Sequence, residues 1–473
     1  MHMDNIVRIE SITIQNFKNI KNGYLSFENS KKNYAASILG LYGQNGSGKT
    51  ALIDALELLR LALSGKSLPP HFANFINVDS ESATIKYALK VQSDKYKSAY
   101  DVVYELSLKR EIDDSDQNMD NPSTNENYKA IIVDEILSYS YEPEIGKRER
   151  FATIIDTRTE NDKPFVPAAK YHVLVGKSKE TLTNLMVAKQ LARATSRSFI
   201  FSKELVNIIR QKCQKDYHRH LIDRMMVFGN YELFVINTSN TELISMDALP
   251  LSFRYSENGK ATAGNMLLKL NEPTLIPEQA LGIVKKVVAN MNIVLQQIIP
   301  GLTIGVRELG TQLNSNGYLG CRVQLISKKN SKEIPLKYES EGIKKIVSIL
   351  QLLIVVYNKA SITVAIDELD SGVFEYLLGE ILRIISEKGK GQLIFTSHNL
   401  RPLETIDKGF IAFTTTNPDN RYIRMTNVKS SNNLRDFYYR DIILGEQDEP
   451  VYDTTNNYEI ALAFSEAGAS YAT

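Results

Sequence analysis

Apolar and polar positions alternate at the start of the chain. Residues 7–27, VRIESITIQNFKNIKNGYLSF, keep a period of two and predict one or two strands. ATIKYALKV (83–91) and AYDVVYELSLKRE (99–111) carry the same period, so an antiparallel sheet is expected near the N-terminus. AASILGLY (35–42) is a short apolar run suited to a buried strand. Beyond a glycine-rich stretch, Ala51, Leu52, Ala55, Leu56, Leu58 and Leu59 recur at helical spacing, with Gly65 as the stop. The period is helical again over 177–226, where two or more helices are expected as an insertion. A further helix is predicted over 276–299, with Pro277 in its first turn and Pro300 after its end. Strands return at LTIGV (302–306) and CRVQLI (321–326). Residues 336–358 read as a polar turn entering an apolar helix, and 362–366 and 391–396 as two apolar strands. Between the early strands, 113–127 is acidic, polar and nearly free of aliphatics, and is expected to be a solvated loop.

The length of 473 residues exceeds what one core usually supports, so two or three lobes are expected. An apolar fraction of 43% and a charged fraction of 23% are those of a soluble globular chain. No apolar run is long enough to span a bilayer, and the opening MHMDNIVRIE does not read as a signal peptide, so a cytoplasmic location without membrane contact is expected. Two cysteines, Cys213 and Cys321, form neither a disulfide framework nor a metal pattern. The net charge of +1 gives no global reason to expect nucleic acid. A local patch does exist over 177–224, where eleven Lys and Arg outnumber four Asp and Glu. It suits contact with DNA or RNA, a solvated helical face, or an acidic protein partner.

Chemistry enters with GQNGSGKT at 43–50. Gly43, Gly48, Lys49 and Thr50 fit G-x-x-x-x-G-K-[ST], and the flanking strand and helix are the setting that this pattern requires. Backbone N–H groups of such a loop converge on phosphate oxygens at a helix N-terminus. Lys49 would reach the β- and γ-phosphates, and Thr50 would give its hydroxyl to Mg²⁺. The strand 362–366 ends in Asp367 and Glu368, at the sheet edge where open α/β folds bind ligands. Asp367 is suited to Mg²⁺, and Glu368 to orienting or deprotonating a water. The same DELD also suits a helix start, where acids meet the macrodipole favourably. His398 ends the next strand, placing it either near the γ-phosphate region or in a structural role. Ser340 reads equally as a helix N-cap and, with Gly342, as a phosphate-binding corner.

Together these segments resemble the ABC-type ATPase heads of the SMC, RecF and overcoming-lysogenization-defect families. ITIQNFKNIK carries their opening I-x-N-F-(K/R) at Asn16, Phe17 and Lys18, and GQNGSGKT is their Walker A form. YESEGIKK resembles their degenerate signature, AIDELDSG their Walker B and D-loop, and FTSHN their switch histidine. The resemblance covers roughly 1–110 and 330–410, and no Q-loop is placed beyond the candidate Gln92. It implies an α/β fold: a P-loop head with a mixed sheet and flanking antiparallel strands, split by a mainly helical lobe. The expected division is 1–145 and 301–473 for the two parts of the head and 146–300 for the insertion. It further implies ATP and Mg²⁺ as cofactors, bound by Gly43, Gln44, Asn45, Gly46, Ser47, Gly48, Lys49, Thr50, Ala51 and Lys18. Ser340, Gly342 and Asp370 would contact nucleotide, Thr50 and Asp367 the metal, and Glu368, Lys49 and His398 would carry hydrolysis. In that family the signature of one head completes the Walker site of another, so a homo-oligomer with shared sites is implied.

Within the superfamily the chain looks most like the compact ATPases of two-gene anti-phage modules such as the PARIS and AbiL systems. The tail after His398 holds no strand-borne Glu followed by D-x-D, so a TOPRIM nuclease site is not expected within it. A separate effector, and a phage protein as trigger, are the partners this likeness implies. An ATPase that clamps DNA in repair or chromosome maintenance is the other reading. A transport ATPase is disfavoured, because the signature departs far from L-S-G-G-Q.

Overall fold

The computed structural model describes residues 5–29, 35–93, 98–112, 128–143, 146–159, 163–237, 248–257, 260–313, 317, 319–426, 428, 433–445 and 447–469. The acidic stretch 113–127 lies outside them. The alternating N-terminal segments form an antiparallel sheet in the order β2-β1-β4-β5-β6-β7. Its strands are β1 (Ile6–Phe17), β2 (Ile20–Ser26), β4 (Ser82–Ser93), β5 (Ser98–Ile112), β6 (Tyr128–Pro143) and β7 (Glu149–Asp156). One face of β1 and β4 is buried almost completely, through Val7, Ile9, Ile12 and Ile14 and through Ile85, Tyr87, Leu89 and Val91. That is the consequence of a period of two with one face turned to a core.

The second large sheet has the order β18-β17-β3-β16-β15-β8. Here β3 (Ser37–Tyr42), β8 (Leu233–Ile236), β15 (Thr363–Ile366), β16 (Gln392–Thr396) and β17 (Ile411–Thr414) are parallel, and β18 (Tyr422–Ile423) is an antiparallel edge. Its central strands are continuous apolar runs, as expected of a parallel sheet covered on both faces. Early and late segments of the chain thus lie side by side, as a split head requires. A ribbon of β9 (Ala248–Glu257) and β10 (Lys260–Lys269) and a small antiparallel sheet follow. The small sheet joins β11 (Thr274–Pro277), β12 (Leu302–Leu313), β13 (Leu319–Lys329) and β14 (Lys332–Pro335).

Helix α1 (Lys49–Leu63) lies between the two large sheets, and thirteen of its fifteen residues are buried. On one side the Tyr87 hydroxyl of β4 donates to the Ala55 carbonyl at 2.6 Å. On the other α1 packs on β8, β15 and β16. Helices α2 (Ala168–Val175), α3 (Lys179–Ala194), α4 (Lys203–Lys212) and α5 (Asp216–Val227) cover the far part of the antiparallel sheet. On the other side stand α6 (Leu281–Ile298), α7 (Glu341–Asn358), α8 (Glu375–Lys388), α9 (Pro402–Thr405) and α10 (Leu434–Leu444). Helix α11 (Asn457–Ala469) ends the described chain.

Within 146–300 the helices alternate with strands. The first strand, β7, continues the antiparallel sheet, β8 pairs in parallel with β15, and β9 to β11 follow, so helices fill 168–227 and 281–298. The four residues of β8 carry no periodicity that distinguishes them from the end of α5, which is why the pattern conceals them. The helix predicted from 276 begins at Leu281, because Thr274–Pro277 pairs with β13 instead. Since Leu56 is fully buried in the core shared by α1 and the antiparallel sheet, Leu56→Ala should cost about 2–5 kcal/mol. Urea unfolding of the two proteins measures it.

Candidate nucleotide site

Four polypeptide stretches converge at the carboxyl edge of the parallel sheet. Lys18, Asn19, Asn45, Gly46, Gly48, Lys49, Thr50, Ala51, Asp367, Glu368 and His398 line a cleft of about 310 Å³ there. The turn after β3 is built for this place. Gly43 has φ +152°, and a Cβ on it would collide with the Thr414 hydroxyl. Gly48 caps α1 in the left-handed conformation at φ 94°. The Lys49 ammonium donates to the carbonyls of Gly43 at 2.8 Å and Gln44 at 2.9 Å. Burial pulls that ammonium below its usual value, and the carboxylates of Asp367, Glu368 and Asp370 pull it back up.

Not every loop residue faces the cleft. The Ser47 hydroxyl bonds the Gln44 carbonyl at 2.5 Å and also Thr414 Oγ1 of β17. The Gln44 side-chain oxygen accepts from the Asp453 N–H at 2.9 Å. These two side chains and Gly43 brace the loop from behind.

The opposite wall depends on Thr396, at the end of β16. Its hydroxyl donates to Asp367 Oδ1 at 2.5 Å and accepts from the Glu368 N–H at 2.8 Å. Glu368 itself has φ 46°, a left-handed conformation uncommon for a residue with a Cβ. Its carbonyl accepts from the Lys345 ammonium of α7 at 3.2 Å. Burial pushes that ammonium down to about 8, against the pull of Asp370, Glu368 and Asp367. Asp370 does not line the cleft. Its Oδ2 accepts from the N–H groups of His398 at 3.1 Å and Asn399 at 2.9 Å, so it holds the turn that presents His398. Burial and the Lys49 charge lower the His398 imidazole, so it is neutral at pH 7 and can both donate and accept.

Ser340 and Gly342 lie away from this cleft in the same chain. The Ser340 hydroxyl caps α7 by accepting from the Ile343 N–H at 3.4 Å. A Cβ at Gly342 would collide with the Gly372 carbonyl, so the start of α7 is packed directly on the turn after Asp370. Gln92 lines a different cavity, with Ile6, Arg8 and Lys390.

Beneath the cleft lies a buried charge that the pattern did not single out. Asp54 in α1 is fully buried, pairs with Lys18, and accepts from the Asn237 amide at the end of β8. Lys18 also stands over the Phe75 ring, 4.1 Å from its centroid. Burial raises the Asp54 carboxyl to about 6, with Lys18 opposing. An acid amid the apolar positions of α1 was the available signal, shared with Glu57, which pairs with Arg60. Thr396, as a polar end to an apolar strand, and Asn19, whose amide donates to the Gly46 carbonyl, gave weaker ones.

In the basic stretch 177–224, five of the eleven cations have the following partners. Arg210 pairs with Asp223, Lys215 with Glu149, Arg219 with Asp216, and Arg224 with Glu232. Lys212 donates to the Thr181 hydroxyl at 2.6 Å. Among the described residues, no helix is long and apolar enough to cross a membrane.

Residues 38–404 match the family model described as "AAA domain, putative AbiEii toxin, Type IV TA system". The chain belongs to this AAA-domain family. No curated protein matches it. Among solved structures it is similar to an SMC head bound to the C-winged helix domain of ScpA, at 12% identity and a TM-score of 0.38, over 89% of this chain and 98% of that one. It is also similar to the SMC head domain from Thermotoga maritima, at 13% identity and a TM-score of 0.34, over 88% and 99%. The recombination mediator RecF in its ATPrS-bound form gives 12% identity and a TM-score of 0.36, over 89% and 99%. Scores this low carry no argument of their own, so the AAA-domain reading rests on the family match and on the cleft.

The Asp54 carboxyl keeps its proton up to about pH 6 when folded, against an ordinary value of 3.8, so the folded state binds more protons between these values. Its contribution to stability is therefore present below the lower value and is lost as pH rises through the upper one. Asp54→Asn should remove that dependence, worth about 3 kcal/mol across the window. Unfolding free energies of wild type and variant between pH 4 and 7 should converge at the acid end if the native charge state sets it.

Proposed function

We propose that the chain binds ATP with Mg²⁺ and hydrolyses it, using the nucleotide state as a switch. The observation that carries this reading is the single cleft shared by Lys49 and Thr50 with Asp367, Glu368 and His398. The donor set fits a magnesium triphosphate. A glycine turn leaves the phosphate approach open, Lys49 and Lys18 line it, and a hydroxyl and a buried carboxylate offer the hard oxygens that Mg²⁺ takes. Thr50 and Asp367 would hold the metal, which would supply charge neutralisation at the phosphates. Lys49 would leave the loop carbonyls for phosphate oxygens. Glu368, fixed by Thr396 and Lys345, would accept a proton from the attacking water, and His398 would orient the region as a neutral donor.

We further propose that the site is completed by a second copy. Support comes from Ser340 and Gly342, which stand at the start of α7 beside the 370–372 turn and off the chain's own cleft. Only another chain can then bring a signature segment to these phosphates. As a homo-oligomer of this kind the protein would sense a trigger, such as a phage protein, and restrain or release a separate effector, for which a TOPRIM nuclease is our expectation. The family's description as belonging to a toxin–antitoxin system supports a two-component role. The DNA-clamping reading gains little from 177–224, where Arg210, Lys212, Lys215, Arg219 and Arg224 already have partners.

Glu368→Gln should retain ATP while turnover falls at least a hundredfold, whereas Lys49→Ala should lose most ATP uptake; calorimetry and phosphate release read the two effects. Wild-type turnover in Glu368→Gln would remove this residue from its role. Ser340→Arg should be inactive alone, yet mixing it with Lys49→Ala chains should restore part of the turnover, because one mixed site then carries an intact loop and an intact signature. No recovery at any mixing ratio argues against a shared site.

A further inference from the structure

A second and larger cleft, of about 480 Å³, opens between β6, the loop after β7 and α3. One wall is apolar, formed by Ile132, Met186 and Phe199, and the rim carries Lys189, Arg193 and Arg197. Lys189 and Arg193 lie four residues apart on one face of α3, and Arg197 follows the end of the helix, beyond Ser196 in the left-handed conformation. Their present partners are weak. Lys189 donates to the Thr157 carbonyl at 2.7 Å and the Thr159 hydroxyl at 2.9 Å, both neutral, and burial lowers its ammonium. The Arg197 Nε donates to the Ser67 hydroxyl at 2.9 Å. Arg193 meets Glu111 only at 3.6 Å, in a pair exposed on both sides. The charges of Asp134, Asp156 and Glu135 pull the Lys189 ammonium back up, but Glu135 is held by other donors. It accepts from the Tyr104 hydroxyl at 2.6 Å, from the Phe199 and Ile200 N–H groups at 2.6 and 3.3 Å, and from the Ser198 hydroxyl. Asp134 is the other acid at the lining, and Lys109 and Arg158 add two more cations, the latter held by Asp156 at 2.9 Å.

We propose that this cleft is a second ligand site, for a compact phosphomonoester with an apolar body, the chemistry of a nucleoside monophosphate. The arginines and Lys189 would take the phosphate, and the Ile132–Met186–Phe199 wall the apolar body. A volume of this size suits a small molecule rather than a protein surface. The cleft also touches the nucleotide site through α1. The Leu68 N–H just beyond that helix donates to the Ser196 carbonyl at 2.8 Å, and a Cβ on Gly65 would lie 2.6 Å from the Phe201 carbonyl. The wall 196–201 is thus fixed to the far end of a helix about 22 Å long whose first residues are Lys49 and Thr50.

Equilibrium dialysis of the full chain with labelled AMP tests the assignment. Wild type and Lys49→Ala should each bind about one AMP per chain, while Arg193→Glu/Arg197→Glu should bind it at least tenfold more weakly and still take up magnesium ATP. If that double variant does not fold, Lys189→Met should show the same loss of AMP with ATP uptake kept. No AMP bound by wild type, equal binding by the rim variants, or loss of AMP in Lys49→Ala alone overturns the proposal. The last outcome would place AMP at the first cleft, and failure of ATP uptake by wild type would instead strike the reading of that cleft.

Discussion

A helix with almost no exposed face holds this molecule together. Helix α1 packs between the antiparallel and the parallel sheet along its length, so the core between those sheets is organised on it. Burying Leu52, Ile53, Leu56 and Leu59 on opposite sides removes a large apolar area from water. The same burial fixes where the helix begins, and hence where Gly48, Lys49 and Thr50 stand. A loop rich in glycine would be loose in isolation. Here it is clamped by Thr414 behind, by Asn19 at Gly46, and by the immovable helix below. Precision at the phosphate edge is therefore a property of the core.

Burial also explains the charges inside that frame. Asp54 sits where an unpaired carboxylate would be costly, and the structure answers with Lys18 just after β1 and Asn237 just after β8. These partners follow strands of the two sheets flanking α1. The network thus ties both sheets to the helix at the level of the cleft, and Lys18 reaches the cleft because Asp54 holds it there.

A second chain of contacts joins the late motifs to one another. Thr396 fixes Asp367 and Glu368, Lys345 fixes the Glu368 carbonyl from α7, and Asp370 fixes the backbone of His398. Gly342 lets α7 lie directly on the 370–372 turn. A shift at the start of α7 would therefore be felt at Glu368 and His398 without passing through the loop of Lys49. This is a physical route by which a neighbouring copy touching Ser340 could act on the carboxylates, as the proposed shared site requires.

Local pattern determined much of this protein. The strand–glycine turn–helix at 35–63, the strands ending in Asp367–Glu368 and before His398, and the alternation of β1, β4 and β5 are each set by residues within one short window. Tertiary structure alone decided the rest. Leu233–Ile236 became a strand because an edge of the parallel sheet was free to take it, and Thr274–Pro277 because β13 could pair with it. Which cations of 177–224 were already paired depended on groups scores of residues away. Periodicity records which face a segment buries; it holds no record of what comes to lie against that face.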